Sequence, residues 1–227
     1  MPVIVLFISF SYISVDEVVK NMEKYTIVDV RSSYEYRVEH IKGALSAPVN
    51  TIEAYFQKGI IPKGKPVVFY CACPHHLSEI AASKAEEYGF KEVFVLNEGF
   101  FGWRDKGYPT EGIKKGEKPN TFVSAGFVFK EGKPVKFGRI WFIHKNTGQM
   151  EVAYTSSDGF YKSDFNFFDI KPGDTILVAV EMPKDFSSFV LPRKNGKTWG
   201  SRVDIIDGKV KVSPKKLLET LKEKGLI

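Results

Sequence analysis

The fold of the first half of this chain is decided by residues 66–90, whose sequence is PVVFYCACPHHLSEIAASKAEEYGF. Residues 66–70 form a short apolar run rich in β-branched and aromatic side chains, which predicts a strand buried on both faces. Residues 78–88 carry apolar side chains at helical spacing, and Gly89 follows where a left-handed helix cap belongs. The segment therefore predicts a strand, a short loop and a helix.

The same alternation continues on both sides of this segment. Residues 25–30 (YTIVDV) and 93–96 (VFVL) are further short strand-like runs. Residues 15–22 have a helical pattern that begins after Ser14, with Glu17 placed to complete a capping box. Strands that alternate with helices predict a parallel sheet with helices on both faces. Ligand sites in such sheets lie at the carboxyl ends of the strands, so the loop after residue 70 is the predicted position of the site.

That loop begins with a cysteine, Cys71. Unpaired backbone N–H groups and the dipole of the following helix favour the thiolate, which is the nucleophilic form of cysteine. Protonated His75 and His76 would add positive charge. This arrangement suits covalent catalysis on sulfur or phosphorus.

Three motifs over about residues 12–110 together resemble those of the rhodanese-like sulfurtransferases. They are the opening signature Asp29-Val30-Arg31, Glu35-Tyr36 and Glu39-His40-Ile41-Lys42-Gly43-Ala44, the strand-end Cys71, and the closing signature Leu96-Asn97-Glu98-Gly99, Trp103 and Gly107-Tyr108-Pro109. The resemblance implies that Cys71 takes a sulfane sulfur, carries it as a persulfide and passes it to a nucleophilic acceptor. The implied donor is a polysulfide, thiosulfate or a persulfide-carrying protein, and no cofactor is implied.

The resemblance also implies which residues form the site. Backbone amides of the loop would cradle the persulfide and the negative charge of the donor. The expected substrate-binding residues are Ala72, Cys73, Pro74, His75, His76, Leu77 and Ser78. Asp29 and Arg31 are expected to form a structural ion pair near the site.

The loop departs from the family pattern at two points. Many members carry Arg or Lys five positions after the nucleophile, where this chain has His76, and the loop is one residue longer before the Ala81-Ala82 pair. Related phosphatases of the cell-cycle class have the longer loop but need an arginine where Leu77 stands, so we reject phosphatase chemistry. Polysulfide or a protein persulfide depends less on such an arginine than thiosulfate does.

Cys73 admits three interpretations. It is an ordinary small loop residue, or a resolving thiol that reduces or caps a Cys71 persulfide, or a ligand for zinc or copper together with Cys71, His75 and His76. Pro74 and the short span weigh against the metal, and no metal ligand is predicted. The alternative to an enzyme is a non-enzymatic module in which this loop senses redox state or holds a metal, while the rest of the chain binds a partner.

The second half of the chain changes to strand-like alternation. Turn signals separate six predicted strands, at residues 122–129, 135–143, 150–155, 160–165, 175–182 and 188–191. Regularly spaced strands without intervening helices favour a β-sandwich. Gly126-Phe127-Val128, residues 131–135 (EGKPV) and residues 155–160 (TSSDGF) resemble the carboxypeptidase regulatory-like, transthyretin-type sandwich, which implies a non-catalytic module. A short C-terminal helix is predicted within residues 213–227, with Leu217, Leu218 and Leu221 on one face.

Charge divides the chain at the same place. Residues 1–117 contain 14 basic and 15 acidic residues, whereas residues 118–227 contain 19 and 12, a net charge of +7. The polar run at residues 112–120 indicates a linker, so we predict a first domain at 12–111 and a sandwich at 121–212. The lysines are scattered and no nucleic-acid motif accompanies them. They favour a solvated surface or a docking face for an acidic protein partner.

Composition and the N-terminus bear on the class of protein. With 43% hydrophobic and 26% charged residues the chain is neither disordered nor a coiled coil, and two cysteines cannot support a disulfide framework. Residues 1–11 open with an uncharged run (MPVIVLFISF) that is too short to span a membrane and is similar to the apolar part of a secretory signal. We therefore expect an exported or periplasmic protein, with a cytoplasmic protein that starts on a buried strand as the alternative.

Overall fold

The computed structural model describes residues 10–72, 76–180, 187–192 and 199–227. The chain divides into two compact units, residues 1–117 and 118–227. Within the described residues, no helix is long and apolar enough to cross a membrane. The export prediction depends on residues 1–11, of which all but the last two lie outside the described part.

The first unit is an α/β domain built on a parallel sheet. Its elements are β1 (Ser11–Ile13), α1 (Val15–Lys20), β2 (Thr26–Asp29), α2 (Ser33–Val38), β3 (His40–Ile41), β4 (Leu45–Ser46), α3 (Ile52–Gln57), β5 (Val67–Tyr70), α4 (His76–Glu87), β6 (Val93–Leu96), α5 (Gly99–Asp105) and β7 (Thr110–Glu111). Five strands pair in the order β1-β6-β5-β2-β4, and every pair is parallel. β3 and β7 form a separate antiparallel pair. The predicted parallel sheet is confirmed, with β5 at its centre.

Helices cover both faces of this sheet, and β5 shows why. Side chains alternate across a strand, and Val68 and Tyr70 pack in one cluster with Val15 and Val18 of α1 and with Phe100 and Trp103 of α5. Phe69, which points to the other face, makes an edge-to-face contact with Phe56 of α3. Because β5 is buried on both sides, its sequence is continuously apolar instead of alternating.

Several local predictions in this unit need correction. α4 begins at His76, two residues before the predicted start, and α1 ends at Lys20, after which Met22–Lys24 forms a 3-10 turn. Ser14 caps α1 by accepting a hydrogen bond from the Glu17 amide. A capping box with both reciprocal bonds, however, is found at Ser32 and Glu35 of α2, a helix that the sequence pattern did not predict.

Part of the polar run predicted as a linker is hydrogen-bonded to the first unit. The amide of Ile113 donates to the Arg37 carbonyl and the amide of Lys114 donates to the Val38 carbonyl. The Gly116 amide donates to the buried Glu39 carboxylate at 2.9 Å. These bonds hold residues 113–116 against the end of α2.

The second unit consists of two β-sheets and a short tail helix. Its elements are β8 (Asn120–Lys130), β9 (Lys133–Pro134), β10 (Arg139–His144), β11 (Met150–Tyr154), β12 (Phe160–Phe167), β13 (Thr175–Val180), β14 (Ser187–Val190), β15 (Gly200–Ile206), β16 (Lys209–Ser213) and α6 (Leu217–Glu223). One sheet has the order β11-β10-β13-β14, and the other has the order β12-β8-β15-β16 with β9 added to β8. A shared core of aromatic and branched side chains joins them, including Phe122, Phe142, Phe165, Val178 and Val203.

The prediction of six strands was wrong by omission. β9, β15 and β16 were missed, and the strand predicted at residues 135–143 begins only at Arg139. β15 pairs in parallel with β8, more than 70 residues earlier in the chain. A pairing this distant has no local hairpin turn that could indicate it in the sequence. The first residue of β15 must be glycine, because a Cβ at position 200 would lie 2.5 Å from the Val123 carbonyl oxygen and 2.5 Å from Leu217 Cδ2.

The tail helix α6 packs on the outside of β8. Leu217 and Leu221 are buried against Ala125. Leu218, which the periodicity placed on the same face, is 52% exposed. The α-helix begins at Leu217, after the 3-10 turn Pro214–Lys216. Leu218 lies about 100° around the helix from Leu217, so it falls outside the face that Leu217 and Leu221 share.

Candidate active site

Cys71 lies at the carboxyl end of the central strand β5 and is only 3% exposed. Its carbonyl accepts a hydrogen bond of 2.8 Å from the Phe100 amide, and the carbonyl of Ala72 accepts one of 3.1 Å from the Phe101 amide. Both donors are in the first turn of α5, where amides have no partner within the helix. The start of the loop is therefore held at two successive residues.

The other side of the site is the first turn of α4. Ser78 is 1% exposed, and its Oγ lies 3.4 Å from Cys71 Sγ, within hydrogen-bonding distance for sulfur. Leu77 is also buried, whereas Ala72 and His76 are half-buried. Cys73, Pro74 and His75 lie outside the described residues. The structure thus brings Cys71 and the hydroxyl of Ser78 together, and the resolving-thiol and metal interpretations of Cys73 remain predictions.

A buried ion pair supports the strand next to the site. Asp29 and Arg31 are fully buried, and the two carboxylate oxygens accept from Nε at 3.0 Å and from Nη2 at 2.6 Å. Nη2 also donates to the Glu39 carbonyl at 2.8 Å, and the guanidinium stacks 4.1 Å from the centroid of the Phe100 ring. The Phe100 amide also donates the hydrogen bond to the Cys71 carbonyl, so Arg31 packs against the residue that positions Cys71.

Tyr70 links this ion pair to the strand that ends at Cys71. Its hydroxyl donates to Asp29 at 2.8 Å and accepts from the Ile41 amide at 3.1 Å. Burial, and then the Asp29 carboxylate, raise the pKa of Tyr70 well above its ordinary value, so the hydroxyl stays protonated. Burial disfavours the charged form of Arg31, but Asp29 outweighs this and keeps the pKa of Arg31 above its ordinary value. The network therefore persists at any physiological pH.

Glu35 gives the first unit a predicted pH dependence. Burial raises the pKa of this carboxyl from 4.5 to about 7, although Arg31 opposes the shift. The unfolded chain therefore releases the proton first, and stability is lost as pH rises through the window from 4.5 to 7. Glu35→Gln keeps an oxygen that accepts from Ser32. We expect it to remove roughly 1–3 kcal/mol of this pH dependence, measured by urea unfolding at pH 5 and pH 8. If the free energy of unfolding fell equally between pH 5 and pH 8 in the wild type and in Glu35→Gln, Glu35 would not be the source of the pH dependence.

Sequence reasoning missed two contributors to the site. It named Ser78 for its backbone amide, and the structure adds the hydroxyl. It placed Gly99 in a family signature without seeing that the amides of α5 hold the loop. The glycine at position 99 was the available sequence signal for a tight turn at the start of α5. Its φ is +64°, a conformation that glycine adopts at no steric cost.

Comparison with known proteins agrees with this architecture. The fold and site define a class of parallel α/β domains with a buried cysteine after the central strand, and residues 14–106 match the family described as Rhodanese-like domain. The thiosulfate sulfurtransferase GlpE of Coxiella burnetii is 36% identical over 106 residues, which is 46% of this chain and 94% of that protein. The chain belongs to the rhodanese-like family.

Two other similarities cover parts of other proteins. The tRNA uridine(34) hydroxylase of Hamiltonella defensa is 30% identical over 125 residues, which is 52% of this chain but 32% of that protein. The solved rhodanese-like domain of an Anabaena protein is 26% identical, with a TM-score of 0.44, and covers 48% of this chain and 84% of that one. The chain is thus similar to proteins whose names describe two different activities, a sulfurtransferase and a tRNA hydroxylase.

Proposed function

We propose that this protein is a sulfurtransferase that carries sulfane sulfur as a persulfide on Cys71. The observation that carries the proposal is the position of Cys71, buried at the end of β5 and facing the first turn of α4. A thiolate is stabilised at such a helix start. The similarity to a protein named thiosulfate sulfurtransferase supports the same chemistry.

The reaction proceeds in two displacements. In the first, the Cys71 thiolate attacks the outer sulfur of the donor, the S–S bond of the donor breaks, and its electron pair leaves with sulfite, a shortened polysulfide or a protein thiolate. In the second, a nucleophilic acceptor attacks the outer sulfur of the persulfide and releases the Cys71 thiolate. No net oxidation occurs, and no cofactor is needed.

The donor preference follows from the charges near the site. Arg31 is fully buried and bound to Asp29, so its charge is already neutralised and does not bind an anionic donor. His76 opens α4 and carries charge only when protonated. We therefore propose polysulfide or a protein persulfide as the preferred donor, with thiosulfate used less well.

Mass spectrometry of the intact protein tests the proposal. Incubation with polysulfide or thiosulfate should add the mass of one sulfur atom to Cys71, and a nucleophilic acceptor should remove it again. Peptide mapping assigns the modified residue, since Cys73 lies close by in the sequence. No added sulfur on Cys71 with any sulfane donor would refute the proposal.

Ser78 provides a smaller test of the same site. Its hydroxyl lies 3.4 Å from Cys71 Sγ, and a hydroxyl donating to a thiolate stabilises it. We expect Ser78→Ala to slow alkylation of Cys71 by iodoacetamide at neutral pH by roughly three- to tenfold. The measurement belongs in a Cys73→Ser background, so that one thiol reacts. Ser83→Ala, at a half-buried position later in the same helix, is the matched control and should leave the alkylation rate unchanged.

The second unit is proposed as a non-catalytic module of the carboxypeptidase regulatory-like kind. Two facing sheets with one aromatic core support this, together with the motifs of its sequence. Its net positive charge suits an acidic protein partner. If the unit takes no part in the chemistry, Lys162→Glu on β12 should leave the rate of sulfur transfer unchanged, and a large fall in that rate would contradict the assignment.

A further inference from the structure

One loop of the second unit exposes an aromatic side chain in an unusual backbone conformation. Phe137, between β9 and β10, is 74% exposed and has a φ of +53°. The left-handed region is a genuine outlier for a bulky residue. Backbone strain of this kind persists only where the surrounding structure enforces it, and it is concentrated at functional positions.

The loop is firmly anchored on both sides of Phe137. Before it, the Val135 amide donates to the Val128 carbonyl at 2.9 Å, and the Val135 side chain packs on the core between the sheets. After it, the Gly138 amide donates to Thr155 Oγ1 at 2.8 Å, and the Thr155 amide donates to the Gly138 carbonyl at 2.9 Å. The anchors fix the backbone on both sides of Phe137, so little backbone ordering cost remains for binding.

The residues around the ring are mostly basic. Lys130, Lys133 and Lys136 are exposed and Arg139 is half-buried, whereas Glu131 is the one acidic residue between positions 130 and 139. A second exposed aromatic, Tyr154, lies opposite Arg139 in the β10–β11 register. Asp158, which follows in the next turn, is paired with Lys224. Asp207 also lies beside the loop, since its Oδ1 accepts a hydrogen bond of 2.6 Å from the Glu131 amide. With the four basic side chains set against the carboxylates of Glu131 and Asp207, the local charge is still positive, in keeping with the +7 of the whole unit.

We propose that this loop is a peripheral membrane-contact site, in which Phe137 enters the interface of an anionic bilayer and Lys133 and Lys136 meet the lipid phosphates. A protruding ring flanked by lysines fits a soft, uniformly anionic surface. The cores of protein–protein interfaces are instead depleted in lysine and need shape complementarity over a larger area. The proposal concerns the second unit and does not depend on the chemistry of Cys71.

The expected affinity is modest. Each lysine close to an anionic surface strengthens binding roughly fivefold, and burial of one phenylalanine adds roughly tenfold. Together the two lysines and the phenylalanine predict an association constant of roughly 250 M⁻¹ for accessible lipid, below that of a single myristoyl chain. Such binding is reversible and is weakened by salt.

Cosedimentation of the full chain with lipid vesicles tests the proposal. We expect binding to phosphatidylcholine vesicles containing about one third phosphatidylserine and little binding to pure phosphatidylcholine. Phe137→Gly should reduce binding roughly tenfold, and glycine adopts the positive φ readily, so the loop should keep its shape. Leu218→Ser is the matched control, since Leu218 is 52% exposed on α6 and should not matter.

A pair of charge variants separates the loop from the overall charge. Lys133→Glu with Lys136→Glu should abolish binding, whereas Lys215→Glu with Lys216→Glu, which changes the net charge equally, should retain most of it. Equal losses in the two double variants, or undiminished binding by Phe137→Gly, would overturn the proposal. Failure of the chain to bind vesicles would also overturn the proposal. Binding of a glutamate-rich polypeptide through Phe137 in that case would show that the loop contacts an acidic protein.

Discussion

Cys71→Ser should reduce sulfane-sulfur transfer by at least about a thousandfold while leaving the fold intact. A serine hydroxyl is protonated at neutral pH and cannot hold a transferable persulfide, so the covalent route is lost entirely. Serine is close in size to cysteine, so it fits the buried position. Its hydroxyl lies beside the hydroxyl of Ser78, which is a polar neighbour for it. The measurement is the rate of sulfur transfer from polysulfide to a thiol acceptor, with circular dichroism to check folding.

Cys73→Ser is the matched control, because it removes the other thiol of the same loop. If Cys73 is incidental, this variant should keep at least about half of the wild-type rate. If both variants lose activity equally, Cys73 takes part as a resolving thiol and the mechanism with one thiol is incomplete. Substantial transfer by Cys71→Ser would place the sulfur elsewhere and remove Cys71 from the reaction.

The part of this site that the sequence predicts is the part encoded in local runs. β5 and β6 are continuous apolar segments because a central parallel strand is buried on both faces, and the position of Cys71 follows from the end of β5. The Asp29–Arg31 pair was also expected, since a resemblance placed both residues near the site. The structure finds them fully buried and in contact.

What the sequence could not predict depends on distant contacts. The hydrogen bond from the Phe100 amide to the Cys71 carbonyl joins residues 29 positions apart, and the amide carries no sequence signal because every residue except proline has one. The parallel pairing of β15 with β8 is set by burial of Val203 and Ile205 against a core assembled from many strands. Such pairings become visible only when the whole sheet is assembled.

Arg31→Met should destabilise the first unit by about 3–5 kcal/mol, because it leaves the Asp29 carboxylate buried without its positive partner. Asp29 would keep hydrogen bonds from Tyr70 and from the backbone amide of residue 31, which do not neutralise its charge. Methionine fills much of the volume beside Phe100, so little of the effect comes from a cavity. The measurement is urea unfolding monitored by hydrogen exchange of β2 and β5, which reports on this unit alone.

Two further variants identify the cause. Lys84→Met breaks an ion pair with Glu53 in which the side chains are 32% and 47% exposed, and it should cost less than about 1 kcal/mol because solvent screens the pair. Asp29→Asn combined with Arg31→Met removes the stranded charge and should recover a large part of the lost stability. If the double variant is as unstable as Arg31→Met, the loss comes from the stacking of the guanidinium on Phe100, and the buried carboxylate is not the reason that Arg31 is needed.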